Sequence, residues 1–205
     1  MIRAAFWIVA LAAAGLSAQV REYVTADTHT RYELLAPDTH SFKIIYEVTE
    51  TRPGARFHFN IIRPGSEASD ESVVDRVTGK PLPFEVISGK AAVADGSAGE
   101  QRLQPEAHYI RVKLARPVPA RGEARLLIVK TYKDAASYFT EGPNIVYARS
   151  LGIPKNAIVL PAGYELVSVN TPVQVATETD GRLKVSYINS NPGEVNVRIT
   201  AKKLP

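Results

Sequence analysis

The chain reads as an all-β protein, an antiparallel β-sandwich, on three observations. Short apolar runs alternate residue by residue with polar ones along most of its length. Gly, Pro, Asn and Asp clusters break those runs at short intervals. Only Lys133 to Thr140, bounded by Pro143, offers a short helical turn.

The first element is a leader. Arg3 gives a basic start, Ala4 to Leu16 is an unbroken apolar run, and Gly15, Leu16, Ser17 and Ala18 form a small-residue end before Gln19. That order is the pattern of a Sec-type signal peptide, and the run falls short of the ~20 residues that cross a bilayer. Residues 1–18 are therefore set aside, and 19–205 are read as one β-sandwich domain. Two packed sub-layers with a seam near Pro117 to Gly122 are the other arrangement. The expected site of action is a bacterial periplasm or exterior, with no membrane span left after cleavage.

Strands follow in order. Phe42, Ile44, Tyr46 and Val48 alternate with Lys43, Ile45 and Glu47; Phe57, Phe59 and Ile61 alternate with Arg56, His58 and Asn60. Ile110, Val112 and Leu114 form the apolar face of a third run, Leu183, Val185 and Tyr187 of another, and Val195, Val197 and Ile199 of the last. A period of two with one apolar face marks a half-buried antiparallel strand. Leu126 to Val129 is apolar on both faces and reads as a central strand. Leu126, Ile128, Val185 and Val197 are the expected core. Arg52-Pro53-Gly54, Thr78-Gly79-Lys80-Pro81, Asp180-Gly181 and Asn191-Pro192-Gly193 carry turn chemistry. Thr179-Asp180-Gly181-Arg182 reads as a two-residue hairpin turn. Ala91 to Gln104, Gly/Ala-rich and without apolar period, reads as a mobile loop.

Composition excludes several chemistries. There is no cysteine, hence no disulfide, thiolate nucleophile or cysteine-ligated metal. The 25 Lys and Arg are dispersed among 21 Asp and Glu, a net charge of +4 with no basic run, which argues against nucleic acid as a partner. His29, His40, His58 and His108 show no metal-ligand spacing and read as solvent-facing or edge residues. Glu67, Asp70, Glu71 and Asp75 match no defined calcium loop. Gly96-Ser97-Ala98-Gly99 lacks nucleophile-elbow spacing, and Val77-Thr78-Gly79-Lys80 lacks the upstream glycine of a phosphate loop. No catalytic residue, metal or cofactor is expected.

The densest chemistry lies between Tyr132 and Tyr164. Aromatic and charged residues share loops there, which is how many sandwiches present a ligand. Asp134, Tyr138, Tyr147 and Arg149 are the candidate binding residues. The competing reading is that these rings cap the core and hydrogen-bond through their hydroxyls.

Arg31-Tyr32-Glu33-Leu34-Leu35-Ala36-Pro37-Asp38-Thr39-His40, leading into Phe42 to Val48 and then Arg56 to Pro64, resembles the opening of the N-terminal β domain of secreted gluzincin-type zinc aminopeptidases. The resemblance covers about the first third of the expected mature chain. It implies a β-sandwich or saddle that packs against a peptidase. The zinc motif and catalytic part of that family do not occur in these 205 residues, so its peptidase activity does not carry over. The functional expectation is an exported, non-catalytic β-sandwich binding a protein partner or envelope component. The alternatives are a carbohydrate-binding module built on the tyrosine-rich loops and an accessory β domain of a peptidase-like system.

Overall fold

A computed structural model describes residues 28–205. The expected signal peptide lies outside the described residues. In chain order the strands are β1 (His29–Leu34), β2 (Ser41–Glu50), β3 (Phe57–Ile62), β4 (Glu67–Asp75), β5 (Phe84–Ser88), β6 (His108–Lys113), β7 (Ala124–Lys133), β8 (Tyr138–Glu141), β9 (Asn144–Leu151), β10 (Lys155–Val159), β11 (Tyr164–Val169), β12 (Gln174–Thr177), β13 (Leu183–Ile188) and β14 (Val195–Lys203). One short helix, α1 (Gly89–Ala94), follows β5.

The strands form a seven-stranded sheet in the order β12-β13-β10-β1-β2-β7-β4, a four-stranded sheet β11-β14-β9-β8 and a three-stranded sheet β3-β6-β5. All pairs are antiparallel except β1 with β10. The period-two reading explains why this stacks. On β2, Phe42, Ile44 and Val48 share one face and are buried, and on β7 Leu126, Ile128 and Tyr132 do the same. Both smaller sheets cover that one face, each over a different half. Tyr32, Phe42, Ile158 and Val185 meet Tyr147, Val197 and Ile199 of the four-stranded sheet. Val48, Leu126 and Ile128 meet Ile110 and Val112 of the three-stranded sheet. The expected core residues Leu126, Ile128, Val185 and Val197 are all buried. The opposite face of the large sheet carries charges: Arg31 pairs with Glu33 at 2.7 Å and with Glu178 at 3.3 Å, and Lys184 with Glu178 at 2.8 Å.

The short helical turn expected at Lys133 to Thr140 is there: Tyr138 N donates to Asp134 O at 2.9 Å, closing one turn before β8. Two other local expectations change, the first by the addition of the helix α1. The expected mobile loop from Ala91 holds the last four of the six residues of α1 and a packed turn. Ala92 and Ala98 are buried against Phe59 and Tyr109, and Ala98 N donates to Ala92 O at 3.0 Å. Small residues pack closely without an apolar period, so the sequence pattern hides them. Gly89 opens this segment because a Cβ there would stand 2.1 Å from the Gln104 carbonyl oxygen. The turn after β12 is longer than two residues. Glu178 N donates to Arg182 O and Gly181 N to Glu178 O, leaving a three-residue loop closed by Gly181 at φ 82°, the left-handed residue such loops use.

Candidate functional site

Two small sheets side by side on one large sheet leave a seam, and the seam is an open cleft of about 580 Å³. Its floor is the inward face of β1, β2 and β7. Tyr32, Ile44 and Lys130 lie in register across those strands, and Thr30 and Tyr46 form the adjacent row. One wall is β3, with His58, Asn60 and Ile61. The other is the end of β9 and the following turn, with Arg149, Leu151 and Ile153. The segment from Gln101 to Gln104 flanks the cleft.

Lys130 is the unusual floor residue. It occupies the inward parity of Leu126, Ile128 and Tyr132 and is only 3% exposed. Its ammonium donates to Asn60 Oδ1 at 2.6 Å and to the Ile61 carbonyl at 3.4 Å, and it lies 4.6 Å from the centroid of the Tyr132 ring. It forms no ion pair among the described residues. Burial disfavours its charge, Arg149 adds like-charge repulsion, and Glu71 only partly opposes them, so its pKa falls to about 7. Glu71 sits in a bulge of β4 between Ser69 and Ser72, on the edge strand beside β7. The floor tyrosines Tyr32 and Tyr46 are pushed up to about 12 by burial and stay neutral.

His58 was expected to face solvent or an edge, and it is buried instead. It pairs across the ladder with Val112, so it shares the face that meets the large sheet. Its Nδ1 lies 3.0 Å from Glu50 Oε2, which also accepts from Arg52 Nη2 at 2.7 Å. Burial raises the Glu50 carboxyl, but the hydrogen bonds from His58 and Arg52 outweigh it and hold the group at about 2. His29 and His40 are partly exposed and His108 is exposed.

The four residues expected to bind are all buried, and three of them face the core. Asp134 Oδ2 accepts from Arg149 Nη1 at 2.9 Å, Ser137 Oγ at 2.7 Å and Ser66 Oγ at 3.0 Å; its Oδ1 accepts from Ala136 N and Ser137 N. Burial works against its charge, and these hydrogen bonds keep its carboxyl below the ordinary value. The Arg149 guanidinium stacks over Phe42 and Tyr132 at 5.3 and 5.4 Å. Tyr147 packs edge-on against Phe42 at 5.5 Å, and Tyr138 OH donates to the Leu35 carbonyl at 2.9 Å. This is the core-capping arrangement. Rings with 0–1% exposure offer no platform for a sugar. Of the four, only Arg149 also lines the cleft. Sequence reasoning missed Lys130, although a lysine at an inward position between Ile128 and Tyr132 was a visible signal.

No protein-family model matches the chain, and no curated protein matches it. Solved structures share its fold. The M1 zinc metallopeptidase from Deinococcus radiodurans aligns with a TM-score of 0.51 at 11% identity, over 85% of this chain and 41% of that one. A mutant of the same enzyme aligns at 0.50 and 10% over the same shares. The chain therefore has the fold of an M1 metallopeptidase N-terminal-type β region and spans less than half the length of that enzyme. At this identity the likeness is one of fold.

Proposed function

We propose that this chain is an exported, non-catalytic β-sandwich that recognises an envelope component or protein partner through the cleft between its two smaller sheets. The observation that carries the reading is the cleft itself: a wide floor of aromatic side chains with polar groups concentrated at Lys130, Asn60 and Arg149. Recognition sites are mostly apolar with a few placed polar groups. The buried carboxylates Glu50 and Asp134 are engaged in ion pairs, and Glu194, the carboxylate that lines the cleft, is solvent-exposed at its rim. Export rests on the basic, apolar, small-residue order of residues 1–18. Among the described residues no helix is long and apolar enough to cross a membrane.

A thermal-shift screen of envelope-derived compounds tests the reading. Ligands should raise the melting temperature of the unaltered protein. They should not raise that of Ile61→Trp, which narrows the cleft at a residue already 39% exposed. Turnover of a peptide, ester or glycoside substrate by the purified chain would refute the non-catalytic part. The fold likeness favours a second reading, an accessory β domain of a peptidase-like system. It expects the chain to co-purify stoichiometrically with a separately expressed peptidase, and failure of any such pairing counts against it.

A further inference from the structure

The cleft is lopsided in charge. Lys130, Arg63, Arg102 and Arg149 line it, and Glu194 is the only carboxylate among the lining residues. Arg149 is neutralised from behind by Asp134 at 2.9 Å. Arg63 donates to the Ser150 carbonyl at 3.1 Å and forms no ion pair among the described residues. Lys130 donates only to neutral oxygens and a ring face. A buried ammonium held this way is costly, and a carboxylate against it would replace weak neutral contacts with a charge-assisted hydrogen bond. The rest of the lining sets the ligand's body. On the floor, Tyr46 is the half-buried ring that faces the opening, Tyr32 and Tyr132 back it with little exposed surface, and about 580 Å³ is ample for a small molecule.

We propose that the cleft binds a small organic monocarboxylate with a flat apolar body, its carboxylate seated on Lys130 and its body against the floor rings. The inference rests on the cleft being the recognition site. It carries a signature that a structural lysine lacks. The charged and titratable groups around Lys130 are Arg149 from β9, Glu71 from β4, Tyr132 from β7, His58 and Arg63 from β3 and the turn after it, and Tyr46 and Tyr32 from β2 and β1. With its pKa near 7, the free ammonium loses its proton just above neutrality. A bound carboxylate favours the charged form, so binding above pH 7 takes up a proton.

The test is calorimetry on the exported chain with naphthylacetate, using naphthylacetamide as the neutral isostere. At about pH 6.5 the acid should bind at least ~10-fold more tightly than the amide, the scale of a hydrogen bond to a charged group. Between about pH 6.5 and about pH 8.5 its affinity should fall roughly 20-fold, following the protonated fraction of Lys130. The heat at the higher pH should depend on the buffer's ionisation enthalpy. Lys130→Met should abolish the preference for acid over amide. Should that variant fail to fold, the acid–amide and pH comparisons on the unaltered protein decide alone. Equal, pH-independent binding of acid and amide, both lost in Ile61→Trp, would overturn the carboxylate inference and leave the cleft reading standing. Binding of neither probe, while other compounds shift the melting temperature in a manner sensitive to Ile61→Trp, would overturn it too. If no compound of any class does so, both fail.

Discussion

Replacing Asp134 with Ala should destabilise the fold by about 3–5 kcal/mol. The carboxylate accepts hydrogen bonds from Arg149, Ser66, Ser137 and the Ala136 and Ser137 amides, and both it and Arg149 are less than a tenth exposed. Its loss leaves a guanidinium, 9% exposed at the cleft wall and packed against Phe42 and Tyr132, with no counter-charge. Removing one member of a buried pair is far more damaging than removing both, because the survivor keeps its desolvation cost. For a domain of this size that loss corresponds to a fall in melting temperature of ~10 °C. Urea unfolding followed by circular dichroism measures it, and Asp134→Ala combined with Arg149→Met should recover part of the loss. The pH dependence has a fixed sign. The folded carboxyl lies below its ordinary value of 3.8, so the stabilisation is complete above that pH and disappears as pH falls through the lower folded value. A loss under about 1 kcal/mol would refute the account of Asp134 as a buried anchor and restore it as a binding residue.

Ile128, with 0% exposure between the large and three-stranded sheets, should cost about 2–5 kcal/mol when cut to Ala, as read by the same unfolding curves. Glu50 titrates from 4.5 unfolded to about 2 folded, so its contribution, on the order of 3 kcal/mol, should vanish as pH falls from about 4.5 to about 2. Glu50→Gln should flatten that limb of the stability profile. Lys130 shifts the other way for its type: its folded pKa of about 7 lies below the unfolded 10.5, so the unfolded chain binds more protons between them and stability should rise with pH from about 7. Lys130→Met should remove that rise and stabilise the protein at neutral pH.

Residue alternation made much of this fold legible. Wherever one strand face meets a core and the other meets water, as on β13, β14 and the first half of β2, burial follows the period of two. It misleads on β3 because the three-stranded sheet is covered on both faces. Ile110 and Val112 of its central strand meet the large sheet, while Tyr109 packs with Phe59 and α1 on the other side. An apolar Phe57-x-Phe59-x-Ile61 face then no longer identifies the inside, and His58 is buried on the opposite one. The cluster of aromatic and charged residues after Tyr132 is real in space as well as in sequence. It points inward because Asp134 closes a turn that lays β8 against β9 and holds Arg149 against the inward face of the floor strands.

The cleft could not be read from the chain because no single segment makes it. Its floor depends on the parallel pairing of His29 with Lys155 and the antiparallel pairing of Ile44 with Lys130, contacts between distant segments that local pattern does not encode. Its width depends on two small sheets sharing one large face without meeting above it. At that gap an inward strand position borders the cleft, and a lysine there follows core parity, nearly fully buried, with Asn60 Oδ1 and the Ile61 carbonyl as its acceptors. Lys130 stands there, between Ile128 and Tyr132 on β7 and beside Ile44 on β2. A lysine at an inward parity position in an otherwise apolar strand is therefore the sequence mark of a gap between covering layers.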